Sequence, residues 1–210
     1  MFYDNAVFMS LMFIEKVAPG VELGAWSMDE SVEELFSCNA VSVSLRKEFV
    51  AVRSAQRRLE VASVHALVCH ILGKDMQIRH DGDGKPCLCN GFNIGISHTK
   101  GCAAVIVSED KDVAVDVEYM DERVERVVGR LLRDDEKAVT LFEKILHWCA
   151  KETLYKLYST DHLALSEMRL LSIHGDGGNG VITAENLRRN TSLRLKYKVV
   201  NGFVIVYAAL

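Results

Sequence analysis

Apolar and polar residues follow two periods along this chain, and the switch between them predicts its elements. Alternation at residues 6–12 and 41–45 predicts strands, because successive side chains of a strand point to opposite faces. From 46 to 72 the period is helical, with Leu59, Ala62, Val64, Leu67, Val68 and Ile71 on the inner face and Gly73 placed to end the helix. HDGDGKP, at 80–86, concentrates turn formers ahead of further strand-like sequence. NIGISH and CAAVIVS are apolar, β-branched runs separated by Thr99, Lys100 and Gly101, which predicts a hairpin, and DVAVDVE is a further strand. Residues 121–159 are helical in two or three pieces, and GDGGNG at 175–180 is a loop. Strands at 193–199 and 203–208 are joined by Asn201-Gly202, the strongest short hairpin signal. The irregular alternation of elements places the chain in the α+β class rather than among doubly wound parallel sheets.

With 210 residues the chain fits one large domain or two small ones. Hydrophobic residues make up 49% and charged residues 26%, the balance of a globular protein. A formal net charge of -4 argues against a general nucleic-acid binder. Charge is nevertheless uneven: Arg46, Lys47, Arg53, Arg57 and Arg58 are interrupted only by the acid Glu48. Such a run is either a solvated helix face or a pocket for a multiply phosphorylated small molecule. Six cysteines (Cys38, Cys69, Cys87, Cys89, Cys102, Cys149) follow no basic leader or convincing cleavage site, so reduced thiols and a cytoplasmic location are expected. No run is long enough and apolar enough to suggest a membrane span.

Two strings carry candidate chemistry. In VAVDVE, Asp116 and Glu118 are two residues apart and so share a strand face, set between valines where uncompensated carboxylates are costly. In HWCAKETLYK, Trp148, Glu152 and Lys156 recur every four residues and form one helical stripe. Carboxylates that hold a hard ion, with a cation beside them, suit Mg2+-assisted chemistry on a phosphate ester. Ser97 and His98 end an apolar strand, where side chains reach a site edge. Other candidates fall away. The D-G-D-G run lacks calcium ligands at its fifth and twelfth positions, occupied by Lys85 and Phe92. Cys87 and Cys89 with His65, His70 and His80 lack zinc spacing. Cys149 and His147 diverge on a helix, which leaves Cys149 a structural thiol.

Four motifs occur in order: GKP at 84–86, ISHT at 96–99, VDVE at 115–118 and W-x-x-K-E-x-x-x-K at 148–156. In these the chain resembles the 4′-phosphopantetheinyl transferases of the longer, surfactin-synthetase-activating type. The resemblance implies two similar α/β halves related by a pseudo-twofold axis, each a small, mostly antiparallel sheet packed on a long helix. The halves would be 1–112 and 113–210, and the protein a monomer. The implied activity is transfer of the phosphopantetheine arm of coenzyme A to a serine of an acyl or peptidyl carrier protein, releasing adenosine 3′,5′-bisphosphate. Asp116, Glu118 and Glu152 would hold Mg2+. Glu152 would help deprotonate the serine and Lys156 would neutralise the departing phosphate, with Asp116, Glu152 and Lys156 as the catalytic group. Ser97 and His98 match phosphate contacts, and Lys85 and Pro86 match nucleotide contacts. Lys151 belongs to the motif without assigned chemistry.

The chain departs from the family pattern at three places. Ala114 stands where relatives often carry glycine, and Gly95 interrupts the usual F-N-I-S-H string. His65 stands where many carry an arginine, which leaves Arg53, Arg57 and Arg58 to grip the coenzyme 3′-phosphate, with Arg46 and Lys47 as outer contacts. The same residues admit a catalytically silent coenzyme A or carrier-binding module, and an unrelated Mg2+-dependent phosphohydrolase.

Overall fold

Two antiparallel sheets lie back to back, each covered on its outer face by one long helix, in a computed structural model that describes residues 10–37, 49, 52–89 and 91–210. The first sheet is built from β1 (Leu11–Ala18), β2 (Val21–Ser27), β3 (Ile78–His80), β4 (Pro86–Leu88), β5 (Asn93–Thr99) and β6 (Cys102–Ser108). Between β2 and β3 come α1 (Val32–Ser37) and α2 (Ala55–Leu72). The spatial order is β1-β2-β6-β5-β4-β3. The second sheet opens with β7 (Val113–Tyr119). A 3-10 turn (Glu122–Arg126), α3 (Val128–Leu131) and α4 (Leu141–Leu157) follow it. Then come β8 (Met168–Gly175), β9 (Asn179–Asn186), β10 (Thr191–Val200) and β11 (Phe203–Ala209), in the order β7-β11-β10-β9-β8.

Strand alternation sorts the core into three layers. Trp26, Val105 and Val107 pack against Val64, Leu67 and Val68 of α2. Leu23, Ile106, Val115, Val117 and Ile205 fill the space between the sheets. Ile182, Leu195 and Val206 meet Ile145, Leu146, Ala150 and Leu154 of α4. Along β7 the odd positions Val113, Val115 and Val117 therefore enter the central layer, while Ala114 joins the α4 layer. Asp116 and Glu118, at the next even positions, are turned to the same side. Lys198 of β10 pairs with Glu15 of β1, adding a polar tie between the sheets.

Both long helices start and stop for local reasons. Ser54 caps α2 by accepting from Arg57 N at 3.3 Å, and Gly73 closes it in the left-handed region. For α4, Thr140 and Glu143 form a reciprocal capping box. The Asn201-Gly202 turn between β10 and β11 has φ of 50° and 80°, the positive pair that a two-residue hairpin requires.

The mixed α+β class agrees with the sequence expectation, as do the β5–β6 and β10–β11 hairpins. Several boundaries are corrected. Of the helix expected from 46, Phe49 is helical and residues 46–48, 50 and 51 lie outside the described residues; residues 52–54 are non-helical, and Ser54 caps a helix that begins at Ala55. Of the strand expected at 6–12, residues 6–9 lie outside the described residues, and the described strand runs Leu11–Ala18. GDGGNG is not a plain loop: Gly175 and Gly180 pair across the β8–β9 hairpin, and Asn179 already belongs to β9, where it pairs with Lys198 of β10. Strands β2, β8 and β9 were not expected. In β2 five residues are buried, four of them consecutive and on both faces, which erases alternation, and a register shift between Leu170 and Ser172 breaks the period of β8. The expected strand at 41–45, and Cys38, Arg46 and Lys47, lie outside the described residues. Among the described residues no helix is long and apolar enough to cross a membrane.

Candidate active site

β5 and β7 belong to different sheets yet run side by side with one constant offset. Ser97 Oγ donates to Asp116 Oδ1 at 2.9 Å, and Thr99 Oγ1 donates to Glu118 Oε2 at 3.0 Å, both across 19 positions. β7 is the edge strand of its sheet, and open edge groups demand partners. Val117 N donates to Ser97 Oγ at 3.3 Å, and Val115 O accepts from Lys156 Nζ at 3.0 Å. The seam thus closes a free edge with the same side chains that surround the acids.

From the other side, α4 presents the stripe anticipated in its sequence. Lys156 Nζ lies 2.8 Å from Asp116 Oδ1, and Trp148 Nε1 donates to Glu118 Oε1 at 3.3 Å. Burial pushes the Glu118 carboxyl above its ordinary value and the Asp116 charge pushes it further, against hydrogen bonds from Thr99 and Trp148. Glu152 is also raised, first by burial and then by Asp116, with Lys156 opposing and Glu118 adding. Among the described residues Glu152 has no hydrogen-bond or ion-pair partner, and the buried Asp116 Oδ2 accepts no donor.

A cleft of about 460 Å³ opens beside Asp116, with Arg57, Lys85, Ser97, His98 and Lys156 among its walls. Arg57 Nη1 lies 2.6 Å from His98 Nε2. A guanidinium only donates, so that nitrogen accepts, and His98 Nδ1 faces Glu60 at 3.6 Å. Burial first lowers the His98 pKa; Glu60 opposes this, while Arg57 and Lys156 add to it. Lys85 stands at the tip of the β3–β4 hairpin, where Asp81 Oδ1 accepts from the backbone N of Asp83 at 3.0 Å and of Lys85 at 2.9 Å. Pro86 and Tyr155 line the same cleft. A second cavity of about 290 Å³ adjoins Glu118, with Thr99, Tyr119, Arg123 and Trp148 on its walls.

The fold therefore gathers Asp116, Glu118, Glu152, Lys156, Ser97, His98, Lys85 and Pro86 around one seam and its cleft. Of the three arginines described, Arg57 lines the cleft; Arg53 is exposed ahead of α2, and Arg58 is half-buried. His65 lies in the buried stretch of α2, 6% exposed. Lys151 has a structural place: fully buried, it donates to Glu136 Oε2 at 2.6 Å and Leu131 O at 2.7 Å. Cys149 is buried against Val204 O, and burial pushes its thiol well above the ordinary value. Cys87 and Cys89 are exposed free thiols. Sequence reasoning assigned nothing to Thr99, although its place two residues after Ser97 puts it on the same strand face. It also left Trp148 without a partner, since a helix stripe does not say which strand it meets.

Among the described residues no three His, Cys, Asp or Glu side chains are gathered closely enough to form a ready-made metal site. The acids nevertheless fit a hard divalent cation. All donors are oxygens, Asp116 Oδ2 is buried without a donor, and Glu152 is half-buried beside two other carboxylates. The chain matches no model of a known protein family, and no curated protein matches it.

Proposed function

We propose that this protein is a Mg2+-dependent 4′-phosphopantetheinyl transferase, which moves the phosphopantetheine arm of coenzyme A to a serine of an acyl or peptidyl carrier protein. The observation that carries the reading is the seam: Asp116 and Glu118 on β7, facing Glu152 and Lys156 on α4, beside a cleft walled by Arg57, Lys85 and His98. The cleft suits a phosphate-rich ligand, because the Arg57 and Lys85 side chains on its walls donate to phosphate, with His98 holding Arg57 through Nε2. Asp116, Glu118 and Glu152 would hold Mg2+, which when bound polarises a phosphoryl group and offsets charge on its oxygens. The reading places the protein in the cytoplasm, as a monomer.

In this mechanism Glu152 takes the serine proton. Among the described residues no donor engages its carboxylate, which leaves it able to accept the proton directly or through an intervening water. The serine oxygen forms a bond to the β-phosphorus of coenzyme A as the bond to the bridging oxygen breaks, and adenosine 3′,5′-bisphosphate leaves with the electron pair. Lys156 has three donors, of which two are committed to Asp116 and Val115. The third would be left for the leaving phosphate, whose charge the ammonium would neutralise. Ser97 donates its one proton to Asp116, so it orients that carboxylate.

The test is a mass measurement. Purified protein, coenzyme A and Mg2+ are incubated with a panel of apo carriers from fatty-acid, polyketide and nonribosomal peptide systems. Addition of the arm to at least one carrier is expected. No addition to any carrier overturns the reading: tight coenzyme binding without turnover would select a binding module, and phosphate release without an acceptor a phosphohydrolase.

A further inference from the structure

Glu118 is held from three separate elements. β7 carries it, Thr99 at the end of β5 donates to Oε2 at 3.0 Å, and Trp148 of α4 donates to Oε1 at 3.3 Å. Two donors on the two oxygens fix the plane of the carboxylate. A carboxylate has about four lone-pair positions, so each oxygen keeps one free. Neither donor is charged, so the orientation is set without neutralising the charge that would attract a cation. Asp116 differs: its Oδ1 accepts from both Ser97 and the ammonium of Lys156, which leaves Oδ2 bare. Glu152 has no donor at all among the described residues. The three acids are thus oriented to different degrees, and Glu118 is the one fixed by neutral groups alone.

We propose that Thr99 and Trp148 are positioning residues that hold Glu118 ready as a ligand for a divalent cation, with Thr99 acting on it from the opposite sheet. The inference rests on the cation reading of the acids given above. It adds that the site belongs to both sheets: the ligand stands on the second sheet, and one of its two orienting groups stands on the first. Groups that orient metal ligands typically contribute ten- to hundredfold to affinity.

The experiment is a titration of the full chain with Mn2+, read by the electron paramagnetic resonance of the free ion, on wild type, Thr99→Val, Thr99→Ser and Trp148→Phe. Thr99→Val keeps the shape and removes the hydroxyl; Thr99→Ser keeps the hydroxyl; Trp148→Phe keeps an aromatic ring and removes the donor. Thr99→Val and Trp148→Phe are each expected to weaken Mn2+ about tenfold. Thr99→Ser is expected to stay within about threefold of wild type, a rescue that a merely structural role would not produce. Wild-type affinity in Thr99→Val, or equal weakening in Thr99→Val and Thr99→Ser, overturns the proposal while the cation reading stands. Failure of the wild-type chain to bind Mn2+ overturns the cation reading, and the proposal with it. If Thr99→Val does not fold, as judged by thermal melting, Trp148→Phe decides: unchanged affinity there overturns the proposal.

Discussion

Gly95 of β5 touches the backbone of Ala114 on β7: a Cβ added at Gly95 would lie 3.0 Å from Ala114 Cα and 3.2 Å from Val115 N. This contact extends the seam one step below Ser97–Asp116 and Thr99–Glu118, with the same offset. It gives a physical reason for the glycine that interrupts the F-N-I-S-H pattern, because a side chain there would push the acid-bearing strand away. Gly95→Ala is therefore expected to destabilise the fold by about 1–3 kcal/mol, as overpacking does, and to lower activity in the fraction that folds. Denaturant melts and the transfer assay check both; wild-type stability would contradict the close contact.

Asp116→Ala and Glu152→Ala are each expected to abolish transfer while the protein stays folded. Asp116→Ala removes the carboxylate that Ser97 and Lys156 orient, and Glu152→Ala removes the base. The mass-shift assay, with circular dichroism as the folding control, reads the outcome. Retained transfer in either variant would contradict the assignment of the acids.

Glu118 and Glu152 both have raised pKa values in the fold, against an ordinary value of 4.5. A raised carboxyl binds a proton more readily folded than unfolded, so stability falls as pH rises through the window above 4.5 and stays lower beyond the folded value. Glu152→Gln is accordingly expected to raise the melting temperature at pH 7.5, with the gain shrinking as pH drops towards 4.5. Mg2+ should stabilise the wild type at pH 7.5 more than at pH 5, because protons displace the ion from its ligands. Thermal melts at several pH values, with and without Mg2+, test both signs.

Lys151 and Glu136 form a fully buried pair that anchors the segment after β7 to α4, and Glu136 Oε1 also accepts from Leu170 N at 2.7 Å. Lys151→Met leaves Glu136 buried without its cation, which costs about 3–5 kcal/mol. Urea unfolding measures this. A cost below about 1 kcal/mol would mean that the pair is not holding the segment.

Ser63 is completely buried in α2, and its hydroxyl has no partner among the described residues. A buried polar group left unsatisfied costs about 1–3 kcal/mol, so Ser63→Ala is expected to be neutral or stabilising. A clear loss of stability would show that the hydroxyl is engaged.

Much of the candidate site was legible because local period sets side-chain direction. The i, i+2 spacing turned Asp116 and Glu118 to one side of a strand, and the i, i+4 spacing lined up Trp148, Glu152 and Lys156 on a helix. Gly73 and Asn201-Gly202 marked their boundaries through backbone conformation, which is equally local. By contrast β2, β8 and β9 escaped notice, since burial on both faces or a bulge removes the period that would reveal a strand.

Local spacing along the chain thus sets the direction in which each acid, amine and hydroxyl leaves its own element. Which of them meet was decided only by tertiary packing, of each helix on its sheet and of one sheet on the other. Docking of the sheets set β5 beside β7, while packing of each long helix on its own sheet buried His65, brought Lys156 to Asp116 and gave Lys151 its partner in Glu136. Long-range contacts of this kind depend on the fit of whole layers. No spacing along the chain encodes them.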